Sequence, residues 1–128
     1  MQYSIDKILD MCFDDAVNRV VEELKKEGFG VLTDIDVQTI LKKKLDVDFR
    51  KYRILGACNP PFAYKALQAE RRIGTMLPCN VIVQETESGQ IEVSAIDPIA
   101  SMRAIENPNL REIADQIQAK LKKVVERL

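Results

Sequence analysis

Glu87-Ser88-Gly89-Gln90 separates two short apolar runs, Val81 to Val83 and Ile91 to Ile96. A connection that short joins only antiparallel neighbours, because a parallel pair needs a crossover of a dozen or more residues. Gly89 supplies the positive φ that such a tight turn demands. The sheet of this protein therefore contains an antiparallel pair.

Upstream the rhythm is different. Residues 2–9 alternate loosely as a first strand, and Phe13, Ala16, Val17, Val20, Val21 and Leu24 then recur at helical spacing, predicting a helix over about 13–27. Gly28 is placed to end it in the left-handed conformation. Phe29 to Ile35 reads as a second strand, and Asp36 caps a short helix over about 37–45. Tyr52 to Ala57 is a third strand, interrupted by Pro60-Pro61. Pro61 suits the first position of a helix over about 61–72, with Phe62, Ala63, Ala66 and Leu67 on one face. Pro60, itself followed by proline, is expected to keep that helix from starting earlier. Val81 to Val83 reads as a central strand buried on both faces. After an irregular stretch, 97–108, a stripe from Leu110 to Leu128 predicts a last helix over about 109–127. The expectation is one α+β domain, 1–128, with a mixed or largely antiparallel five-stranded sheet and helices packed against it. At 128 residues, 46% of them hydrophobic, the chain can bury its own core without a disulfide or structural metal.

The residue inventory excludes much chemistry. There is no histidine, which removes Ser-His-Asp and Cys-His catalysis and His-ligated metals. No Cys-x-x-C, Walker A sequence or nucleophile elbow is present. Gly28-Phe29-Gly30 lacks a third glycine and enters a strand, so it is no dinucleotide fingerprint. No cofactor is expected. Carboxylate or lysine chemistry has no spacing signature, so whether the chain is an enzyme stays open. The formal net charge of -1 lacks the basic excess of a nucleic-acid binder. Lys42-Lys43-Lys44 lies beside Val37, Ile40, Leu41 and Leu45, and reads as the solvated back of a buried helical face. No apolar run approaches the ~20 residues that span a bilayer. The N-terminus lacks signal-peptide features. The expectations are a cytoplasmic protein, no membrane contact, and reduced thiols at Cys12, Cys58 and Cys79.

The most unusual stretch is Gly56-Ala57-Cys58-Asn59-Pro60-Pro61. A strand-to-helix turn there aims backbone N–H groups and a helix dipole outward, ready for an anion, and favours a thiolate at Cys58. The plainer alternative is a rigid corner in which Asn59 bonds to local backbone and Cys58 is a small packing residue. Pro78-Cys79-Asn80 repeats the Cys-Asn pair, and the two pairs meet if the third and fourth strands are neighbours. Cys79 reads foremost as packing. Asp97-Pro98 ends the fifth strand, as a turn or cap residue or as a base or ligand facing a pocket. Glu70 is ambiguous in the same way. The candidate ligand-binding residues are Cys58, Asn59, Pro60, Cys79, Asn80 and Asp97; none is assigned to a metal or to catalysis.

Four ordered runs, Gly28 to Val37, Tyr52 to Pro60, Leu77 to Val81 and Ser94 to Pro98, resemble the domain-of-unknown-function family numbered 302 over essentially the whole chain. The resemblance implies a two-layer α+β sandwich with a largely antiparallel sheet, and a homodimer. It brings no established activity, substrate or cofactor. Distant branches keep counterparts of Asn59-Pro60, Pro78 and the Asp97-Pro98 ending but often lack the cysteines, which implies a shared site centred on Asn59, Pro60, Pro78 and Asp97. Three functions follow as expectations: a non-enzymatic module for a small ligand or anion at the Asn59 turn; a thiol-dependent redox or soft-metal protein using Cys58 and Cys79; or a structural homodimeric interaction subunit.

Overall fold

A computed structural model describes residues 2–128; Met1, included in the expected domain, lies outside them. The strands are β1 (Ser4–Leu9), β2 (Gly30–Asp36), β3 (Tyr52–Cys58), β4 (Cys79–Glu85) and β5 (Ile91–Ile96). The helices are α1 (Phe13–Lys26), α2 (Val37–Leu45), α3 (Pro60–Ala69), α4 (Pro98–Ser101) and α5 (Pro108–Glu126), with a 3-10 turn at Ile73–Met76. The strands form one sheet in the order β1-β5-β4-β3-β2, and every neighbouring pair is antiparallel. This is the α+β architecture expected.

The local signals explain most of these boundaries. After α1, Gly28 takes φ 87° and its N–H bonds Lys25 O, while the Phe29 N–H reaches back to Leu24 O. Those two bonds are a Schellman ending, and buried Phe29 and Leu24 supply its apolar contact. Gly89, at φ 81°, closes the β4–β5 hairpin with its N–H on Thr86 O. The Asp36 carboxylate caps α2 by accepting from the Thr39 N–H at 3.1 Å.

Leu55, Ala57, Val81, Val83, Val93 and Ala95 turn one face of the sheet into the core, against Val20 and Leu24 of α1 and Leu121 and Val124 of α5. Each fully buried Val or Leu contributes about 1.5–3 kcal/mol relative to exposure. β4 is central, but it is buried on one face only. Asn80 is exposed and Ile82 and Gln84 are half-buried on the other face, because an all-antiparallel sheet need not be covered on both sides.

Other expectations need correction too. α3 starts at Pro60, not Pro61. Both prolines have helix-compatible φ, and neither needs an N–H in the first turn, so they occupy its first two positions. It ends at Ala69, short of residue 72. The stretch 97–108 is not wholly irregular, since Asp97 nucleates α4. The stripe of α2 is not a buried face: none of its residues is buried, and Leu45 is 66% exposed. α2 joins adjacent antiparallel strands, so nothing forces it to cross and cover the sheet. α1 joins opposite edges and must cross.

Candidate functional site

The β3–α3 corner is built from its backbone outward. Asn59 is 7% exposed and precedes α3, yet its side chain makes no cap bond to that helix. Its Nδ2 instead donates to Glu27 O at 3.1 Å, across to the α1–β2 turn. A Cβ on Gly28 would stand 3.2 Å from the same Nδ2, so a glycine there leaves room for the amide. Three residues before Asn59, in β3, a Cβ on Gly56 would run into Thr33 Oγ1 and come within 2.8 Å of Pro78 Cγ. Pro78 follows a cis Leu77-Pro78 peptide and seats its ring over the glycine. Sequence motifs more than twenty residues apart therefore interlock at one corner of the sheet.

Beside this corner lies a cavity of about 250 Å3. Ala63, Ala66 and Leu67 of α3 form one wall, and Leu77, Pro78 and Cys79 form another. Leu32, Ala57 and Cys58 close it at the β2–β3 edge, over Phe29, Asn59 and Ile117. Leu32 reaches it from a bulge, where the β2–β3 register shifts between Val31 and Thr33. The lining is apolar apart from two thiols and an amide.

β3 and β4 are neighbours, and Cys79 pairs with Ala57, the residue before Cys58. The two Cys-Asn pairs thus lie at the same end of adjacent strands, as the sequence allowed, with Cys58 projecting from the other face of β3 from Ala57, the partner of Cys79. Cys79 is 6% exposed, and burial, reinforced by nearby Cys58, pushes its thiol up to about 11. It is a neutral thiol at ordinary pH. Cys58 is half-buried, and Cys12 is exposed at the start of α1, away from the cavity.

The remaining candidates go elsewhere. Pro60 is exposed at the first position of α3 and does not line the cavity. Asn80 is on the opposite face of β4 from Cys79, beside Ile82 and Ser94. Asp97 caps α4, accepting from Ile99 N–H at 3.0 Å and Ala100 N–H at 3.4 Å. Both of its carboxylate oxygens also accept from Gln118 Nε2, at 3.0 and 3.1 Å. It is a cap that ties α4 to α5. Glu70 is the residue after α3 and is not part of the cavity lining. Sequence reasoning missed Leu32, Leu67, Leu77 and Ile117 as cavity walls. Of these, Leu67 and Ile117 carried a signal, through their places on the apolar faces of α3 and α5.

A family profile described as domain of unknown function DUF302 matches residues 5–128. The chain belongs to that family. Among solved structures, it is similar to the uncharacterized conserved protein DUF302 from Bacillus stearothermophilus at 29% identity. The match covers 99% of this chain and 98% of that one, with a TM-score of 0.92. A comparison with curated proteins gave no significant match. Membership of DUF302 agrees with the α+β sandwich and brings no reaction with it. Among the described residues no helix is long and apolar enough to cross a membrane. Nor do three or more His, Cys, Asp or Glu side chains among them gather to hold a metal.

Proposed function

We propose that this DUF302 domain is a binding module for a small, uncharged, largely apolar ligand, held in the cavity between α3 and the β2–β3–β4 end of the sheet. The observation that carries the proposal is the lining, where nine of the twelve wall residues are Phe, Leu, Ile, Ala or Pro. Such concave, mostly apolar sites with few polar groups are where small molecules bind. The volume exceeds the ~150 Å3 that accommodates benzene in an engineered cavity. The same corner argues against an anion. Pro60 and Pro61 have no N–H, and the Ala63 N–H is already bonded to Asn59 O, leaving Phe62 as the one donor of the first three helical residues.

The test is a fragment screen by ligand-detected NMR, with thermal shift as the second readout. Neutral aromatic and branched aliphatic fragments should bind, and one present at ~100 times its Kd should stabilise by about 2.7 kcal/mol. Ala63→Trp, which fills the cavity from its α3 wall, should abolish binding while leaving far-UV circular dichroism unchanged. Stabilisation by phosphate or sulfate, with no response to neutral fragments, would refute the proposal.

One observation favours self-association as a second reading. Leu32, Ile35, Ile40, Leu45 and Val47 are all exposed on edge strand β2, α2 and the residues after it. A second copy covering this face accounts for an apolar stripe that the chain does not bury itself. Sedimentation should then show a dimer that Leu45→Lys dissociates; a wild-type monomer at micromolar concentration rules the reading out.

A further inference from the structure

Asn59 is 7% exposed and lines the cavity beside Phe29 and Ile117. Its Nδ2 donates to Glu27 O at 3.1 Å, which settles the end of the amide that carries nitrogen, since an oxygen there would face an oxygen. The same end stands nearer the α1–β2 turn: a Cβ on Gly28 would lie 3.2 Å from Nδ2 but 3.9 Å from Oδ1. The planar amide thus turns its nitrogen to that turn and its oxygen away from it. Oδ1 accepts no hydrogen bond from the described residues, and it is not sealed off either. Among those residues, Glu23 Oε2 is the one fully buried side-chain oxygen or nitrogen atom without a partner. The cavity is therefore bordered by an orientated carbonyl oxygen with both lone pairs unused. The thiols on the same lining are weak hydrogen-bonding groups by comparison.

We infer that Asn59 Oδ1 sets the specificity of the cavity, and that its ligand is a neutral apolar molecule carrying a hydrogen-bond donor, of the phenol class. The inference rests on the neutral-ligand proposal above and narrows it. A ring fills the space between the apolar walls, and its hydroxyl donates to Oδ1. A ligand of the same shape without a donor strips water from Oδ1 and returns nothing for it. One that offers only an acceptor sets oxygen against oxygen, and a carboxylate or phosphate adds negative charge to the same mismatch. A single neutral hydrogen bond made or missed in this way is worth about tenfold in affinity.

The experiment titrates carbon-13-labelled protein with p-cresol, its isomer anisole and toluene, following the Asn59 Cγ signal by NMR. The two isomers contain the same atoms, and only p-cresol can donate. It should bind about tenfold more tightly than anisole. It should also move Asn59 Cγ downfield, as a carbonyl does on gaining a donor, whereas toluene should not. Asn59→Ala should lose the preference for p-cresol, and Asn80→Ala, on the opposite face of β4, should keep it. If Asn59→Ala fails to fold, the wild-type Cγ shift decides the matter. Equal affinities for the two isomers, an unmoved Cγ, or a preference that survives Asn59→Ala would overturn the inference and leave the cavity proposal standing. Binding of none of the three probes would overturn both.

Discussion

Asn59 is the residue on which a structural tie and a ligand contact are most easily confused, and its energetics can be worked out in advance. Its Nδ2–H donates to Glu27 O at 3.1 Å, and that bond is part-buried. Leaving a buried acceptor without its donor costs about 1–3 kcal/mol, and with some water access about 1.5 is appropriate. For a domain of this size that is a fall of ~6 °C in Tm. With a urea slope of about 2 kcal/mol/M, the midpoint of Asn59→Ala should drop by ~0.7 M at unchanged slope. Asn59→Asp keeps the shape but turns an oxygen toward an oxygen and buries a charge, so it should be the less stable of the two. Urea melts followed by circular dichroism, with fluorescence of the tyrosines as a second probe, measure all three proteins. The reasoning is refuted if Asn59→Ala lies within about 0.5 kcal/mol of wild type, or if Asn59→Asp is more stable than Asn59→Ala. Loss of ligand by Asn59→Ala is informative only after this destabilisation has been measured.

Gly56→Ala should destabilise by about 1–3 kcal/mol through overpacking, because the new methyl meets Thr33 Oγ1 and Pro78 Cγ. Adding Thr33→Ala should recover part of that loss, and strictly additive effects in denaturant melts would show that the two sites do not touch. Asp34 accepts from Arg53 Nε at 2.7 Å, and this hydrogen bond is the chief reason its carboxyl sits below the ordinary 3.8, with burial opposing. A carboxyl lowered on folding stabilises above its unfolded value and stops doing so as the pH falls through its folded value. The stability gap between wild type and Arg53→Met should therefore hold at neutral pH and close below a pH of about 4; a gap that widens in acid contradicts the assignment. Disulfide reagents at pH 8 should modify Cys79 far more slowly than exposed Cys12, because a thiol near 11 is only about one part in a thousand thiolate there. Equal rates in the native protein would show that Cys79 is not buried.

The legible part of this fold is the part governed by neighbours in sequence. Gly28, Asp36 and Gly89 act through backbone conformation or a bond three residues away, so each signal could be read directly and each sits where expected. The hairpin after β4 likewise announced antiparallel pairing. What depends on partners far along the chain was not legible. The spacing of Val37, Ile40, Leu41 and Leu45 specifies an apolar stripe without saying what covers it, and among the described residues Val37 and Leu41 are only half-buried while Ile40 and Leu45 stay exposed. Val81 to Val83 is equally apolar whether one face or two is covered. Asn59 was read as a local bonder or a ligand contact, yet its partner is Glu27, on the far side of β2. Asp97 was legible as a cap, but its second partner, Gln118, is visible only once α5 is folded against α4.

The chemistry of the interlocked corner decides what kind of function it can support. Gly28 yields space to Asn59, Gly56 yields space to Thr33 and Pro78, and Asn59 commits its donor to Glu27. None of these residues presents an unengaged base, acid or nucleophile to the cavity, and Pro78 has no reactive group at all. They fix the relative positions of β2, β3, β4 and the start of α3, and so set the shape of the space beside them. A site defined in this way selects by fit, and its selectivity among small apolar groups is worth only about 1–3 kcal/mol per methylene. Sharper discrimination has to come from whatever else the wall carries. In this chain the wall's other groups are the Asn59 amide, whose donor is already bonded to Glu27 O, and the separate thiols of Cys58 and Cys79.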